Sequence, residues 1–433
     1  MSSTLLKASR RPGRGSAWML VACTVLLASC HFDVTNPGPV QEKFLDDPAA
    51  QTAIVNGAGR DLSDALNHVA YVLGAVAREI FPDGSTGSFG ISSQEQVGKL
   101  QNDQTDEFWN PAQRARWEAE HGAMRFLDQL GADAYAKKKV AGQITLWAGY
   151  ANRLLGETMC EAIIDAGPNQ ASSVYLTRAD SEFTSAMAIA AAAGDNTTAT
   201  AAQAGRASVR ADLGNWTGAV ADASAVADAF VFQMPYYITD SDQYNRIYWS
   251  SANAPYRAHT VYNTFYQQYY LDSKDPRVPW TQDPKNPTGD AAVLNLGKLP
   301  WYPQTKYNKR DAAINLSSGW EMRLIEAEAK LRNNDVAGGM ALVNKHRVAL
   351  GLQAWTATTI TDAWTMLKRE RGIELWLEGR RLGDLRRWKA TNTPGVLSDF
   401  EIAGGSKSYL DASQDLCAPT PLTETQTNPN YKP

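Results

Sequence analysis

The sequence predicts a mostly α-helical protein, in which paired helices form a short α-solenoid that packs against an irregular, loop-rich region. Apolar residues recur at helical spacing over about 112–229, and a helical pattern returns over 319–390. Between these blocks, residues 230–318 combine aromatic rings with a density of Pro and Gly that forbids long helices. A chain of 433 residues is long enough for these parts to share one large domain, which we place at 30–433.

The first 29 residues have the pattern of an export signal that ends at a lipidated cysteine. Four basic residues and no acids come first: Lys7, Arg10, Arg11 and Arg14. The apolar run that follows, at 17–29, is too short to be a comfortable membrane span. It ends in LASC, which resembles the lipobox of bacterial lipoproteins. We therefore predict that residues 1–29 are a signal peptide and that Cys30 carries acyl chains such as palmitate, which would tether the protein to a membrane.

Two other interpretations of this segment stay open. Cys23, in LVAC, also follows small and apolar residues, although the apolar run before it would be very short. The segment would be an ordinary secretory signal if Cys30 were incidental. In each case the exported chain is more acidic than the net charge of −4 of the whole sequence, because the signal carries only bases. An acidic chain is a poor partner for nucleic acid.

The rest of the sequence offers no metal or redox motif. No CxxC, no HExxH and no Cys/His ligand spacing occurs, and the five histidines are scattered, so we expect neither a metal nor a cofactor. After Cys30, only Cys160 and Cys417 are left. Outside the cytoplasm these two are able to form one disulfide; they would otherwise be two separate small buried residues. The sequence does not choose between these alternatives.

The first helical block contains an amphipathic helix and an alanine-rich one. Apolar residues three and four apart share one face of the first helix: Ile144, Trp147, Ala151, Leu154, Leu155, Met159, Ala162 and Ile163. Gly and Pro in DAGPN, at 165–169, end that helix. The alanines of SVYLTRADSEFTSAMAIAAAA, at 173–193, favour a second helix and permit close packing against it.

Two segments have the form of a helix pair with a tight turn. Leu213, Gly214, Trp216 and Ala219 give a helix end, a turn and a new helix, with alanines placed where two helices must approach closely. This spacing resembles one tetratricopeptide unit. A weaker echo lies at 320–352, where Asn333 and Asn334 form the turn. Such units bury their faces by stacking, which predicts a short solenoid; an unrelated α-helical bundle is the alternative.

The intervening region is rich in aromatic rings. Residues 230–307 hold 17 of the chain's 41 aromatic residues. Rings on irregular backbone suit sugars and other amphipathic solutes, because the ring stacks on C–H faces while polar neighbours bond hydroxyls. We predict that Trp249, Trp280 and Trp301 are stacking platforms and that Tyr302 lies beside the last. The alternative for each ring is that it fills a core that loops cannot otherwise build.

Two further segments are candidates for ligand binding. In DQTDEFWNP, Trp109 is placed to stack on a ligand and Asn110 to hydrogen-bond it. In the turn FPDGSTG, Asp83 is placed to accept hydrogen bonds from hydroxyls. No residue is proposed as catalytic.

The segment RERGIELWLEGRRLGDLRRWK, at 369–389, is dense in charge of both signs. Glu374 and Glu378 lie four residues apart and would suit an acid/base pair, but many arginine neighbours are expected to hold both carboxyls ionised. Because acids offset bases, nucleic-acid binding is disfavoured. The spacing of Gly379 and Gly383 lets another backbone come near. We interpret the segment as a partly buried helix or helix–turn that braces the fold.

The same segment resembles the C-terminal signature of the SusD/RagB family of outer-membrane nutrient-binding lipoproteins. The matching positions are Arg369, Arg371, Glu374, Leu375, Glu378, Gly379, Arg381, Asp384, Leu385, Arg387 and Trp388. Further segments resemble the family at 323–331, 341–352, 275–277, 306–307 and 420–431, and FDVTNPG after Cys30 resembles its mature N-terminus.

This resemblance implies a fold, a location and a partner. The family fold is mostly α, with tetratricopeptide-like helix pairs against an irregular ligand-binding region, and its members are not usually enzymes. They are lipid-anchored on the outer face of the outer membrane, over a SusC-like TonB-dependent transporter, and capture oligosaccharides or peptides. The acidic residues that often follow the lipidated cysteine are reduced here to Asp33, which bears on outward orientation.

Two rival functions stay open on the sequence alone. An exported α-helical glycoside hydrolase would need two carboxylates within about 5–10 Å across a groove. A tetratricopeptide scaffold for a protein partner would use a polar groove on the repeats and leave the rings at 230–307 idle.

Overall fold

The computed structural model describes residues 44–84 and 91–432. The predicted signal peptide and the lipidation site Cys30 lie outside these residues. The elements of the fold belong to one compact unit that begins at Leu45.

The described chain is mostly helical, which confirms the predicted fold class. The helices, named α1 to α15 in chain order, are Gln51–His68, Gly74–Val76, Ser93–Gln96, Asp106–Leu130, Ala132–Tyr135, Lys139–Thr158, Ser173–Ala192, Asn196–Asp212, Trp216–Ser224, Phe265–Ser273, Gly319–Arg332, Val336–Ala349, Ile360–Glu374, Arg381–Ala390 and Leu422–Thr427. Among these described helices, none combines the length and the apolar character needed to cross a bilayer.

Strands are few and short in the described residues. They are named β1 to β6: Phe81–Pro82, Glu161–Ala162, Gln170–Ala171, Val231–Met234, His259–Thr260 and Ile314–Ser318. They form antiparallel pairs, β1 with β5, β2 with β3 and β4 with β6. The β4–β6 pair joins the two ends of the loop-rich region, because Val231 lies opposite Ser318.

The long helices α4, α6, α7 and α8 pack closely because small residues lie where they meet. Gly149 on α6 and Gly205 on α8 face the same buried ring, Phe183 of α7. A Cβ at Gly149 would lie 2.7 Å from that ring, and one at Gly205 would lie 2.5 Å from it. Such distances leave no room for a side chain, so these two glycines permit the close approach that the alanine-rich sequence predicted.

The tight turns lie where the sequence predicted them. Gly214 adopts a φ of 77°, and Asn215 caps α9 by accepting a hydrogen bond from the Gly218 amide at 3.1 Å. At the second turn, Asn334 has a φ of 60° and Asp335 caps α12. The alanines of α8 and α9 form a buried cluster with side chains of α11: Ala204, Ala207, Ala211, Ala219, Ala223, Val226, Met322 and Ile325. The helices therefore pair as expected, while their tetratricopeptide character stays a prediction.

Cys160 and Cys417 form a disulfide, which decides the alternative that the sequence left open. The backbone reinforces the link, since the Cys160 amide donates to the Ala418 carbonyl oxygen at 2.9 Å and the Ala418 amide donates to Thr158 at 2.8 Å. The chain that follows α14 is thus fastened to the end of α6.

The charged segment at 369–389 forms two helices joined by a turn. Helix α13 ends at Glu374 and α14 begins at Arg381, and between them Leu377 and Gly379 have φ values of 60° and 74°. At Gly379 a Cβ would lie 3.2 Å from the Val69 side chain. This glycine therefore leaves room for the backbone just after α1 to come near, as the spacing of Gly379 and Gly383 predicted.

The ion pairs of this segment reach other elements of the fold. Arg371 holds Asp384 at 2.9 Å across the turn, and Arg381 holds Glu401 at 2.6 Å. Arg380 forms ion pairs with Glu157 at 3.0 Å and with Glu321 at 2.9 Å. All seven of these side chains are largely buried. The segment therefore connects α6, α11 and the C-terminal loops.

Glu374 and Glu378, whose spacing would suit an acid/base pair, differ in their surroundings. Burial acts to raise the pKa of Glu374, but hydrogen bonding and charge from His346 and Arg277 bring it below its usual value. Burial raises the pKa of Glu378, and its cationic partner is Lys306, at 2.8 Å. An arginine and a histidine therefore favour the ionised form of Glu374, as the expectation of cationic neighbours had it, whereas the cation beside Glu378 is a lysine and not an arginine.

Candidate functional site

Trp249 lies on a half-buried aromatic surface in the loop-rich region. It belongs to a wide helical turn at Tyr248–Ala252, and its ring centroid lies 5.2 Å from that of Tyr244 and 5.6 Å from that of Tyr256. The Arg310 guanidinium lies 4.9 Å from the centroids of both Tyr244 and Trp249. Contacts on several sides hold the indole in place while part of it stays accessible to solvent.

A polar cleft of about 230 Å³ adjoins this ring. Its lining residues carry an amide, carboxylates, a hydroxyl and a guanidinium beside the two rings: Asn67, Glu107, Ser241, Asp242, Tyr244, Arg246 and Trp249. Hydrogen-bond donors and acceptors therefore lie beside the rings of Tyr244 and Trp249.

Asn67 of α1 fixes the loop that forms this cleft. Its side-chain amide donates to the Tyr244 carbonyl oxygen at 2.7 Å, and its side-chain oxygen accepts from the Arg246 amide at 2.7 Å. Both polar ends of Asn67 are thus occupied in holding the loop. Its role is to position Tyr244 and Arg246, and the groups left to meet a ligand are those of the loop itself.

The ion pair beside the cleft is weak. The His68 Nε2 lies 3.5 Å from a Glu107 carboxylate oxygen. Burial, followed by the charge of Arg246, lowers the pKa of His68 to about 3, so the imidazole is neutral at ordinary pH. Glu107 is well exposed and keeps acceptor capacity toward the cleft.

A second aromatic group contains two of the predicted platforms. Trp280 stacks on Tyr302 with centroids 4.8 Å apart and an interplanar angle of 16°. Trp280 is 7% exposed and its indole donates to the Gln267 carbonyl oxygen, so it serves mainly as packing. Tyr302 is half-buried and offers the more accessible ring of the pair.

Trp301 and Asp83 face the interior. Trp301 is 2% exposed, and its indole N–H meets no acceptor among the described residues. Asp83 is fully buried, and burial raises the pKa of its carboxyl to about 9. The two Asp–Gly pairs interlock: a Cβ at Gly289 would overlap Asp83, and one at Gly84 would overlap Asp290. Neither predicted ligand residue presents its side chain to solvent.

Trp109 and Asn110 share a different cleft, along α4. The cleft has a volume of about 590 Å³; Trp109 is buried in its wall and Asn110 is exposed at its rim. The structure therefore brings the predicted residues together in pairs, Trp109 with Asn110 and Trp280 with Tyr302, while Trp249 lies in the polar cleft.

Several residues of these clefts are not among those predicted from the sequence. Tyr244 and Arg246 lie within DQYNRIYW and carried a signal, since three aromatic residues and several polar ones are clustered there. Asn67 carried none, because it lies 177 residues before its partner Tyr244. Trp117 falls off the apolar stripe of α4, and that position predicts an exposed ring.

Comparison with known proteins agrees with the fold. Residues 231–431 match the sequence model of the SusD family. A SusD superfamily structure from Parabacteroides distasonis superposes with a TM-score of 0.66 at 13% identity, covering 89% of this chain and 98% of that one. A SusD superfamily protein from Bacteroides thetaiotaomicron gives 0.64 at 13% identity, covering 89% and 96%. A search of curated proteins by sequence finds no match.

A third similar structure is described by its ligand. It is a laminarin-binding SusD-like protein, with a TM-score of 0.58 at 13% identity, covering 88% of this chain and 98% of that one. The described fold is thus similar over most of its length to that of SusD-like proteins. Residues 231–431 are SusD/RagB-like in sequence, as the C-terminal signature predicted, and the fold of the described chain is similar to that of SusD superfamily structures.

Proposed function

We propose that this protein is a surface-tethered nutrient-binding lipoprotein, which captures oligosaccharide and delivers it to a SusC-like TonB-dependent transporter of the outer membrane. The observation that carries this proposal is the polar cleft beside Trp249, where a held indole stands next to donors and acceptors. A peptide is the second ligand class, since the same groups bond amides.

The geometry of this cleft suits a sugar. A pyranose ring offers one face of C–H groups and a perimeter of hydroxyls, which match an aromatic face bordered by polar side chains. Asp242 and Glu107 supply acceptors for hydroxyl protons, and Arg246 supplies a donor. Because Tyr244, Tyr256 and Arg310 already hold Trp249, little ordering entropy is lost on binding.

Similar structures favour glycan over peptide. One is a laminarin-binding SusD-like protein, and another is a SusD-like carbohydrate-binding protein from Bacteroides vulgatus. Within the predicted set, Trp249 is the main contact in our proposal, and Tyr302 on Trp280 is an accessory ring pair. Trp301 and Asp83 would support these surfaces from behind.

We propose binding without catalysis. The carboxylates of the charged segment are taken up in ion pairs: Arg277 bonds both Glu370 and Glu374 at 2.7 Å, and these glutamates are largely buried. Carboxylates that are buried and ion-paired in this way cannot reach a substrate bound in an open groove. We expect no release of reducing ends when the purified protein is incubated with oligosaccharides, and measurable turnover would contradict the proposal.

The anchor and the partner are proposed from the N-terminal pattern and the family. Acylation at Cys30 would place the chain on the outer membrane, and Cys30→Ser is expected to move it from the membrane to the soluble fraction. The anchored protein is expected to co-purify with a SusC-like transporter. Wild-type protein in the soluble fraction would contradict the anchor without touching the binding proposal.

The ligand proposal is tested with a glycan array that includes laminarin. Wild-type protein should bind at least one neutral glycan, and Trp249→Ala should weaken that binding about tenfold or more, as expected for a central aromatic contact. Tyr237→Ala is the matched control, because this ring belongs to the same region, is 53% exposed and lies outside the cleft lining. Equal binding by Trp249→Ala and wild type would exclude this cleft.

A further inference from the structure

The cleft along α4 has the features of a second binding site. It is the larger of the two clefts discussed above, at about 590 Å³. One wall is α4, the opposite wall is the turn that contains Asp165 and Ala166, and Glu424 of α15 closes one side. None of these residues lines the polar cleft beside Trp249.

Trp117 is a fixed, half-exposed ring in this cleft. Its indole is 49% exposed, and the ring stacks on His121 with centroids 4.1 Å apart and an interplanar angle of 25°. The His121 Nδ1 bonds the Trp117 carbonyl oxygen at 2.9 Å, which fixes the imidazole against the helix. The imidazole therefore supports one face of the indole, and the ring presents apolar surface without a large loss of rotamer entropy on binding.

The hydrogen-bonding groups left available in the cleft are mainly acceptors. Glu118 is half-buried and makes no hydrogen bond or ion pair with any described residue. Asp165 uses one carboxylate oxygen for Arg116, at 2.7 Å, and Glu424 uses one for the Asn428 side chain, at 2.8 Å. Each keeps its second oxygen. Acceptors beside an indole face match a ligand that brings hydroxyl donors and C–H faces.

The buried charged donor of the cleft, Arg116, is already occupied. Arg116 bonds Glu120 at 2.8 Å and Asp165 at 2.7 Å, and Arg114 bonds Asp61 at 3.0 Å. Arg116 is therefore fully engaged, whereas Arg114 meets Asp61 through its Nε alone and keeps its terminal amino groups as donors at the exposed edge of the cleft. With two cations against three carboxylates its formal charge is close to neutral, which favours an uncharged ligand over an anion.

The wall opposite α4 is held by the C-terminal segment. Asp165 and Ala166 have φ values of 50° and 55°, an unfavourable conformation for two successive non-glycine residues. The Asn430 side chain donates to the Ala166 carbonyl oxygen at 2.9 Å, and Asn428 donates to that of Gly167 at 2.9 Å. The end of the chain thus keeps this strained wall in place.

We propose that the α4 cleft is a second saccharide-binding site, in which Trp117 stacks on a neutral sugar and Glu118 accepts its hydroxyl protons. The ligand class rests on the proposed function, whereas the site is independent of the cleft beside Trp249. A glycan-binding protein with two such sites would hold one sugar chain at two places or two chains at once.

The experiment compares four proteins on the same glycan array: wild type, Trp117→Ala, Trp249→Ala and the double variant. Met124→Ala is the matched control, since this side chain lies on the same helix, is 53% exposed and does not line the cleft. We expect Trp117→Ala to weaken binding about threefold to tenfold, Met124→Ala to leave it unchanged, and the double variant to lose the binding that Trp249→Ala retains. Thermal melts verify that each variant is folded.

The possible results separate this inference from the proposed function. If Trp117→Ala binds every glycan as wild type does while Trp249→Ala is impaired, the second site is wrong and the proposed function stands. If wild type binds no glycan, both are overturned. Chitosan serves as a cationic probe: binding to chitosan alone that Glu118→Gln abolishes would show that the cleft takes an ammonium group, and would overturn the assignment to a neutral sugar.

Discussion

The charged segment at 369–389 and the ring-bearing loop around Trp249 contain the same side-chain types in opposite situations. In the first, the Arg387 guanidinium lies 5.8 Å from the buried Trp388 ring, and Arg387 also forms an ion pair with Asp212 at 3.1 Å; the side chains of Arg387 and Asp212 are 9% and 18% exposed. In the second, Arg310 lies 4.9 Å from a half-buried Trp249. Cation and ring contribute to stability where both are enclosed, and are available to a ligand where one face stays open. Mutations in the two regions should therefore separate stability from binding.

The largest loss of stability is expected from breaking the buried pair of Arg371 and Asp384. Asp384→Ala leaves Arg371 without its partner in the interior, which should lower the free energy of unfolding by about 3–5 kcal/mol. Denaturant unfolding measures this effect. Asp399→Ala is the control, because that carboxylate pairs with Lys407 at the surface and should change stability by about 1 kcal/mol or less. A loss below that of the control would show that the pair does not brace the fold.

The disulfide should come second. Cys160→Ser with Cys417→Ser releases a cross-link between residues 257 positions apart, and should cost about 2–4 kcal/mol in denaturant unfolding. The disulfide variant should also affect the two clefts differently. Because the C-terminal segment holds one wall of the α4 cleft, ligand affinity should fall more at that cleft than at the cleft beside Trp249. Equal loss at both clefts would contradict this local role.

Acid should weaken the charged segment next. Burial acts to raise the pKa of Asp384, but Arg371 and Arg387 lower it to about 2 in the folded state, against an ordinary value of 3.8. A carboxyl whose pKa is lower in the folded state than in the unfolded state contributes stability above its unfolded pKa. That contribution is lost as pH falls toward its folded pKa. This single group should therefore remove about 2 kcal/mol between pH 4 and pH 2. Asp384→Asn should flatten the slope, and an unchanged slope in that variant would exclude this group as the cause.

The pH dependence of stability that Asp83 causes should have the opposite sign. Burial raises its pKa to about 9, so the folded state keeps a proton that the unfolded state gives up above 3.8. Its contribution falls by up to about 1.4 kcal/mol per pH unit as pH rises from about 4 to 9, and Asp83→Asn should remove this slope, so that the variant gains stability relative to wild type between pH 5 and pH 8. Thermal melts of both proteins at pH 5 and pH 8 measure the difference. A variant that is less stable than wild type at pH 8 would show that the charged carboxylate is needed, for instance by a cation.

The smallest effect on stability is expected at the exposed rings. Trp249→Ala should cost about 1 kcal/mol of unfolding free energy, because only part of the ring is buried, while glycan binding falls about tenfold or more. Denaturant unfolding and binding on the same preparation provide the test. A large destabilisation by Trp249→Ala would place this ring with the buried tryptophans of the charged segment, and would remove the contrast between the two regions.

Much of the framework could be predicted because its signals are local. Helical periodicity at 144–163 and the turn at Leu213–Gly214 depend on residues a few positions apart. The structure has the turn, but the predicted helix was too long: α6 ends at Thr158, Met159 is extended and Ala162 lies in β2. The charged segment was predicted to brace the fold, yet its partners Glu157, Glu321 and Glu401 lie on other elements and could not be read from spacing within it.

By itself, the sequence determined that this chain is mostly helical, that its loops between the helical blocks are rich in rings, and that its C-terminal signature is that of the SusD/RagB family. Tertiary structure alone decided which rings are open. Trp301 and Tyr302 are adjacent, but one is enclosed and the other half-buried; Trp117 is exposed on a helix, and Asp83 is closed in by Gly289. The physical reason is that burial of a side chain depends on segments distant in sequence, whereas helix and turn formation depend on near neighbours.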